Sequence, residues 1–241
     1  MKHISTFLLL VLLISCQITE RITINEDGSG SIEVVQLREE NSYMQLAGEQ
    51  YSKENVFKDT AYVFKDYISK YKENFSQYKP EEQQLFQKYA NVKTHVKRSS
   101  FEKEFRTSFR LDFSKVSEIP DLYKTEDYAS DIQHNYALTA EEHYFRIAYS
   151  FDGKIFKRSV FVINTTELEK IKLQCKEFKT KYGAAKLTQL YALQYHFPRK
   201  IKSVSDSNAL ISSDRKSLTL EFQLSDCLQN PEMTNLEVVL E

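Results

Sequence analysis

The sequence predicts an α+β fold, in which a large, mostly antiparallel β-sheet carries two or three helices that cover one face. Two observations support this prediction. First, runs of β-prone residues flank Asp-Gly pairs. Second, further runs in which apolar and polar residues alternate are separated by stretches with apolar residues at helical spacing. The strands and helices do not alternate regularly, as they do in parallel βαβ folds. A curved sheet wrapped around a helix would enclose a cavity.

Two Asp-Gly pairs, Asp27-Gly28 and Asp152-Gly153, each stand between two β-prone runs. Glycine supplies the positive φ that tight hairpin turns require, so each pair predicts a β-hairpin. Asn25, Asp27 and Gly28 also have the spacing of residues in a calcium-binding loop. However, Thr23 and Val34 occupy the positions where such a loop needs its first ligand and its bidentate glutamate. The sequence therefore predicts a turn without metal.

Three stretches have the pattern of helices. Residues 53–71 repeat apolar side chains at helical spacing, and Pro80 followed by Glu81 and Glu82 suits a helix start that continues to about Ala90. Residues 167–181 form the third helix, which Thr165 or Thr166 would cap and Gly183 would end. Further strands are predicted over residues 92–98, 101–113, 187–197, 209–212, 217–224 and 236–240.

The third helix has a clear apolar stripe. Its members follow one another at intervals of three, four and three residues: Leu168, Ile171, Cys175 and Phe178. Side chains at this spacing lie on one face of a helix, which predicts that this face is buried against the sheet.

The amino terminus resembles the signal peptide of bacterial lipoproteins. Basic Lys2 precedes an apolar run over residues 7–14, which is too short for a helix that spans a membrane. The run ends in Leu13-Ile14-Ser15-Cys16, which resembles a lipobox. The resemblance implies that residues 1–15 are removed, that Cys16 receives acyl chains, and that the mature protein is anchored to a membrane without spanning it.

This resemblance also predicts the organisation of the chain. Residues 16–20 would be the acylated terminus and a short tether, and residues 21–241 a single domain. Gln17 is not the aspartate that retains lipoproteins in the inner membrane of enteric bacteria, so the outer membrane is favoured. The sequence leaves open whether the domain faces the periplasm or the cell surface.

The composition excludes several classes of protein. Lys plus Arg number 33 against 34 Asp plus Glu, so no overall positive charge directs the protein to nucleic acid. Aromatic residues make up 13%, with only five glycines and four prolines, which is typical of a folded domain rather than a disordered stalk.

Two cysteines remain after Cys16, and two interpretations of them stay open. A disulfide between Cys175 and Cys227 would be stable in an oxidising compartment and would close a loop of about 50 residues. Alternatively, the position of Cys175 on the apolar stripe indicates a small buried thiol.

The sequence offers no catalytic motif, no metal site and no cofactor-binding pattern. The four histidines beyond the signal peptide are scattered: His95, His134, His143 and His196. The nearest approach to a ligand pair is Glu141-Glu142-His143, but adjacent residues of a strand point to opposite faces.

Two segments resemble the LppM-like bacterial lipoproteins. Residues 22–34, Ile-Thr-Ile-Asn-Glu-Asp-Gly-Ser-Gly-Ser-Ile-Glu-Val, are similar to their opening hairpin, and residues 195–201 with 212–218 are similar to their closing part. Such domains are associated with membranes and have been compared with lipid-cradling folds of the START type. The resemblance implies an apolar cavity or lipid contact, and it transfers no catalytic or ligand residues.

Three functions follow as expectations. The first is a non-catalytic envelope lipoprotein that acts as a binding or interaction module, with a lipid or an envelope protein as partner. The second is a carrier of lipids or other hydrophobic ligands. The third, from a different class, is an enzyme that acts on envelope polymers. A deep apolar pocket would favour the carrier, whereas convergent carboxylates or a histidine beside a nucleophile would favour the enzyme.

Overall fold

The protein is described by a computed structural model that covers residues 16–138, 143–183 and 187–241. The predicted signal peptide, residues 1–15, lies outside these ranges. Within them the fold is α+β and contains a large, mostly antiparallel sheet, as the sequence predicts. A second sheet of four strands was not predicted.

The described residues contain twelve strands. In chain order they are β1 (Cys16–Ile24), β2 (Gly30–Arg38), β3 (Phe57–Val63), β4 (Lys93–Ser99), β5 (Glu104–Phe113), β6 (Phe145–Phe151), β7 (Ile155–Val162), β8 (Leu190–His196), β9 (Ile201–Val204), β10 (Leu210–Ile211), β11 (Ser217–Gln223) and β12 (Leu236–Leu240). The large sheet has the order β10-β11-β8-β1-β2-β5-β4-β3, and the small sheet has the order β6-β7-β12-β9. Among the strands of the described residues, only β1 and β8 pair in parallel.

Both predicted Asp-Gly hairpins are present, as the turns between β1 and β2 and between β6 and β7. Gly28 and Gly153 adopt φ values of 81° and 90°, which other residues rarely tolerate. The Asp27 carboxylate accepts a hydrogen bond from the Ser29 N–H at 2.9 Å, and Asp152 accepts one from the Ile155 N–H at 2.7 Å. Each aspartate thus closes its own turn.

The first strand begins earlier than predicted. Residues 16–20, predicted as a tether, form the first half of β1, where Cys16 pairs with Arg38 of β2 and Gln17 pairs with Leu190 of β8. β1 therefore lies between two partner strands from Gln17 onward.

The helices are mostly short. The α-helices of the described residues are α1 (Glu40–Ala47), α2 (Phe64–Lys70), α3 (Lys72–Gln77), α4 (Pro80–Gln87), α5 (Thr125–His134), α6 (Thr165–Tyr182) and α7 (Leu224–Gln229), and short 3-10 helices cover Gly48–Lys53, Val116–Glu118, Leu122–Lys124 and Pro231–Thr234. None of the helices in this part of the chain is long and apolar enough to cross a membrane.

The helix predicted over residues 53–71 is a strand followed by a short helix. β3 is the edge strand of the large sheet, and most of its side chains are exposed, so no alternation of apolar and polar residues marks it. Its apolar residues and those of α2 together produced an apparent helical spacing. The pairing of β3 with β4, which lies more than thirty residues further along the chain, overrides this local pattern.

The predicted long helix is confirmed as α6, with a different cap. The side chain of Asn164, rather than Thr165 or Thr166, accepts a hydrogen bond from the Glu167 N–H at 3.0 Å. Leu168, Cys175 and Phe178 are buried as the stripe predicts, whereas Ile171 is half-buried. The predicted packing of the whole stripe against the sheet is wrong for Phe178. Phe178 packs against α1 and the segment before β8 rather than within the main core, with Leu46, Ile171, Tyr182 and Leu187 as its neighbours.

The main core lies between the two sheets and extends under the helices that connect β3 and β4. Phe156 of β7 contacts Tyr195 of β8 and Phe197, with ring centroids 5.3 and 5.5 Å apart. At the helical end, Phe86 of α4 meets Tyr128 of α5 edge to face at 5.5 Å. Such ring contacts add to the stabilisation from apolar burial.

Candidate functional site

A cavity of about 520 Å³ lies between the two sheets. This volume is within the range of about 300–1,000 Å³ that is typical of small-molecule sites. The large sheet contributes β1, β2 and β5 to its wall, the small sheet contributes β6 and β7, and α7 closes one side. Its apolar lining includes Ile18, Val56, Phe105, Phe109, Phe145, Ile147, Leu224 and Leu228.

Strand alternation explains why apolar side chains line this space. In β5 every second residue from Thr107 onward is buried, which directs Phe109 inward, and in β6 the same alternation directs Ile147 inward. Leu224 and Cys227 of α7 are one helical turn apart and both face the cavity. The walls are therefore formed by residues whose sequence pattern is that of an ordinary core.

The deep end of the cavity contains a buried ion pair between the sheets. Glu20 of β1 and Arg158 of β7 are 0% and 1% exposed. The guanidinium donates from Nε to Glu20 Oε1 at 3.1 Å and from Nη2 to Glu20 Oε2 at 3.3 Å. Tyr195 donates to Oε1 at 2.5 Å. We call Glu20, Arg158 and the tyrosines that bind them the inter-sheet cluster.

Arg158 has no hydrogen-bonding capacity left for a ligand. Besides its two bonds to Glu20, Nη1 donates to the backbone oxygen and Oγ1 of Thr234, at 3.0 and 2.8 Å, and Nη2 donates to the Tyr191 hydroxyl at 2.6 Å. A guanidinium has five N–H groups, and all five are used. The cluster therefore joins the sheets and does not present a positive charge to the cavity.

The ionisation of this cluster follows from its partners. Burial alone would raise the pKa of Glu20, but the charge of Arg158 and hydrogen bonds from Arg158 and Tyr195 outweigh it and lower the pKa. Burial raises the pKa of Tyr191 and Tyr195, so both phenols stay protonated. The cluster is a neutral pair of one anion and one cation across the physiological pH range.

Two tyrosines of the cluster, Tyr123 and Tyr191, connect the ion pair to the cavity. The Tyr123 hydroxyl lies 3.2 Å from Glu20 Oε2 and 2.9 Å from the Tyr191 hydroxyl, and both tyrosines line the cavity. Because a phenol oxygen has two lone pairs, Tyr123 retains an acceptor for a polar group of a ligand.

The opposite end of the cavity has charged residues that are also paired. The guanidinium of Arg38, whose side chain is 3% exposed, lies between the rings of Tyr43 and Phe105, at 3.8 and 3.2 Å. It donates to both oxygens of Glu54, at 2.9 and 3.0 Å, and to Glu40 at 2.6 Å. These three bonds fix this part of the cavity wall and pair the charge of Arg38 with two carboxylates.

Cys175 and Cys227 are free thiols, and both are buried. α6 and α7 pack against each other, and both thiols lie close enough to Tyr144 to influence its hydroxyl. Burial raises the pKa of Cys175, and it raises that of Cys227 to about 12. Both cysteines are thus buried thiols in this structure, and Cys227 lines the cavity.

The histidines occupy separate elements, as their positions in the sequence suggested. His95 contacts Asp59 at 2.7 Å, and His143 contacts Asp127 at 2.8 Å at the rim of the cavity. No group of three or more His, Cys, Asp or Glu within the described ranges is arranged to hold a metal ion. Glu141 and Glu142 lie outside those ranges.

The inter-sheet cluster was not predicted from the sequence, although the sequence contains a signal for it. Glu20 lies in the buried row of β1 with Ile18 and Ile22, and Arg158 lies in the buried row of β7 between Phe156 and Val160. A charged residue at an inward position of each of two strands, with opposite signs, indicates a buried pair. Assignment of residues 16–20 to a tether concealed this pattern.

Comparisons with known proteins gave one structural likeness. No protein-family model matches the chain. No curated protein matches it either. Among solved structures, the folded domain of the LppM protein of Mycobacterium tuberculosis, determined by NMR, is similar with a TM-score of 0.42 and 10% sequence identity, over 94% of this chain and 90% of that one.

Proposed function

We propose that the mature protein is a non-catalytic lipoprotein of the bacterial cell envelope, anchored to the outer membrane through Cys16, and that it binds a lipid or another hydrophobic ligand in the cavity between its sheets. The observation that supports ligand binding is the cavity of about 520 Å³ with its mainly apolar lining. The observation that supports the anchor is the resemblance of residues 13–16 to a lipobox.

The polar groups of the cavity favour an apolar ligand over a charged one. All five N–H groups of Arg158 donate to protein partners, and the charge of Arg38 is paired with Glu54 and Glu40. Two further arginines of the lining also lie beside carboxylates, Arg98 at 3.9 Å from Glu126 and Arg106 at 3.3 Å from Glu104. A ligand with an acyl or other hydrocarbon chain gains from the apolar walls at about 25 cal/mol per Å² of apolar surface buried. The Tyr123 hydroxyl offers one hydrogen bond for orientation.

Ligand binding is tested with a dansyl-labelled fatty acid and the soluble mature chain, in which Cys16→Ser replaces the anchor behind a conventional cleavable signal peptide. We expect saturable binding that Leu228→Trp weakens at least tenfold, because Leu228 of α7 lines the cavity and tryptophan would fill it. Asp226→Trp, an exposed position of the same helix, is the matched control and should bind as the parent does. Equal and weak binding by all three proteins would contradict a ligand-binding cavity.

The anchor is tested separately by labelling cells with an alkyne analogue of a fatty acid. We expect the full-length precursor to incorporate the label and to fractionate with the outer membrane. Cys16→Ala should abolish the label and leave uncleaved precursor. Retention of the label by this variant would overturn the assignment of the anchor to Cys16.

A further inference from the structure

One end of the large sheet gathers the beginning of β1 and four other strand ends. Strand register sets Cys16 opposite Arg38, Leu37 opposite Arg106, and Phe57 opposite Ser99. Five strand termini therefore lie at the same end of the sheet: the beginning of β1, the end of β2, the beginning of β5, the end of β4 and the beginning of β3. We call this end of the sheet the anchor end.

The anchor end exposes large apolar side chains. Phe101, in the turn between β4 and β5, is 73% exposed, and Phe57 at the beginning of β3 is 66% exposed. Val56 beside it is 37% exposed, and its backbone oxygen accepts a hydrogen bond from the Ser100 N–H at 2.9 Å, which ties the two segments together. Exposed apolar residues grouped in this way mark a surface that meets an apolar partner.

The cavity reaches the anchor end. Val56, Arg98 and Phe105 belong to its lining, and so does Ile18, two residues after Cys16. At a rise of about 3.3 Å per residue, Ile18 is about 7 Å along the strand from the anchor point. The exposed aromatics, the start of β1 and one side of the cavity thus share one face of the molecule.

The excess of basic residues at the anchor end favours binding to a lipid surface. At the anchor end, residues 56–59 and 97–106 include five basic and three acidic residues. The basic residues are Lys58, Lys97, Arg98, Lys103 and Arg106, and the acidic residues are Asp59, Glu102 and Glu104. Aromatic and basic residues side by side are typical of surfaces that lie in the interfacial region of a bilayer.

We propose that the anchor end docks onto the surface of the bilayer that holds Cys16, with Phe57 and Phe101 inserted between the lipid headgroups, so that a ligand passes between the membrane and the cavity without crossing water. The orientation rests on the proposed anchor at Cys16, and the route of the ligand rests on the proposed binding function. β1 and β3 are four strand spacings apart, about 19 Å, which one docked face can cover.

The chain contains no tryptophan, so a single introduced tryptophan reports its own surroundings. Phe57→Trp and Phe101→Trp are compared with Leu210→Trp in the lipidated mature protein, reconstituted into phosphatidylcholine and phosphatidylglycerol vesicles that contain brominated acyl chains. Leu210 is 71% exposed and lies in β10, at the opposite edge of the sheet. Circular dichroism confirms that each variant is folded.

We expect vesicles to shift the emission of Trp at positions 57 and 101 to the blue, and brominated chains to quench it at least threefold more than at position 210. Equal quenching at all three positions would overturn the docking proposal. A blue shift that depends on protein concentration and occurs without vesicles would identify a second copy of the chain as the partner, and would overturn it as well.

A second measurement separates docking from ligand binding. Phe57→Ser combined with Phe101→Ser should slow the uptake of a dansyl-labelled fatty acid from vesicles at least fivefold, while the soluble mature chain with the same changes retains the equilibrium affinity. Leu210→Ser is the control. Unchanged uptake would contradict the route from membrane to cavity. Quenching without any ligand binding would leave docking in place and refute the proposed function.

Discussion

Arg158 of β7 binds both carboxylate oxygens of Glu20 in β1, at 3.1 and 3.3 Å, and thereby joins the small sheet to the large one inside the core. Removal of one partner leaves the other charge buried without compensation, which typically costs about 3–5 kcal/mol. Loss of both charges together removes this penalty. The pair is therefore expected to behave as a unit.

The first prediction is a double-mutant cycle on this pair in the soluble mature chain. Arg158→Met should lower the free energy of unfolding in urea by about 3–5 kcal/mol, and Arg158→Met with Glu20→Gln should lower it by less than the sum of the single changes. Arg21→Met is the control, because Arg21 forms a largely exposed pair with Glu33 at 3.2 Å and should contribute at most about 1 kcal/mol. Strict additivity at positions 20 and 158 would contradict the coupling.

The second prediction concerns the dependence of stability on pH. Since the pKa of Glu20 in the folded protein lies below its ordinary value of 4.5, the contribution of its carboxylate is complete above about pH 4.5. It is lost as the pH falls through the folded-state pKa. We expect the free energy of unfolding of the parent to fall more steeply below pH 4.5 than that of Glu20→Gln. Parallel curves for the two proteins would show that Glu20 has an ordinary pKa.

The elements that the sequence predicted correctly are those with strong local signals. The Asp-Gly hairpins, α4 from Pro80 and α6 from Thr165 depend on turn chemistry and on periodicity within a few residues. β3 and the division into two sheets depend on pairing between distant segments. Most side chains of β3 are exposed, so its sequence lacks the alternation of apolar and polar residues that indicates a half-buried strand.

The candidate site was predictable in part. An apolar cavity was implied by the family resemblance, but its walls consist of side chains whose pattern is that of any core. Glu20 and Arg158 are 138 residues apart, and only the packing of the two sheets brings them together. The exposure of Phe57 and Phe101 also could not be inferred, because an aromatic residue beside a turn is more often buried.

The third prediction concerns the two thiols. Because burial raises the pKa of Cys175 and raises that of Cys227 to about 12, the reactive thiolate is scarce at neutral pH. In the soluble mature chain, iodoacetamide should modify neither cysteine in native buffer and both in guanidinium chloride without a reductant, as counted by mass spectrometry. Modification in guanidinium chloride only after reduction would identify a disulfide between them.

The last prediction tests the apolar face of α6. Phe178 is 7% exposed and packs against Leu46 and Leu187, whereas Lys179, the next residue, is exposed. Truncation of a buried phenylalanine typically costs about 3–5 kcal/mol, and truncation of an exposed lysine away from any partner changes stability by about 0.5 kcal/mol or less.

We therefore expect Phe178→Ala to lower the free energy of unfolding of the soluble mature chain by about 3 kcal/mol, near the lower end of that range because its cluster is small and separate from the main core. Lys179→Ala should unfold at the same urea concentration as the parent. Equal and small effects of the two changes would mean that α6 detaches from α1 in solution, and that its apolar stripe is available to a partner.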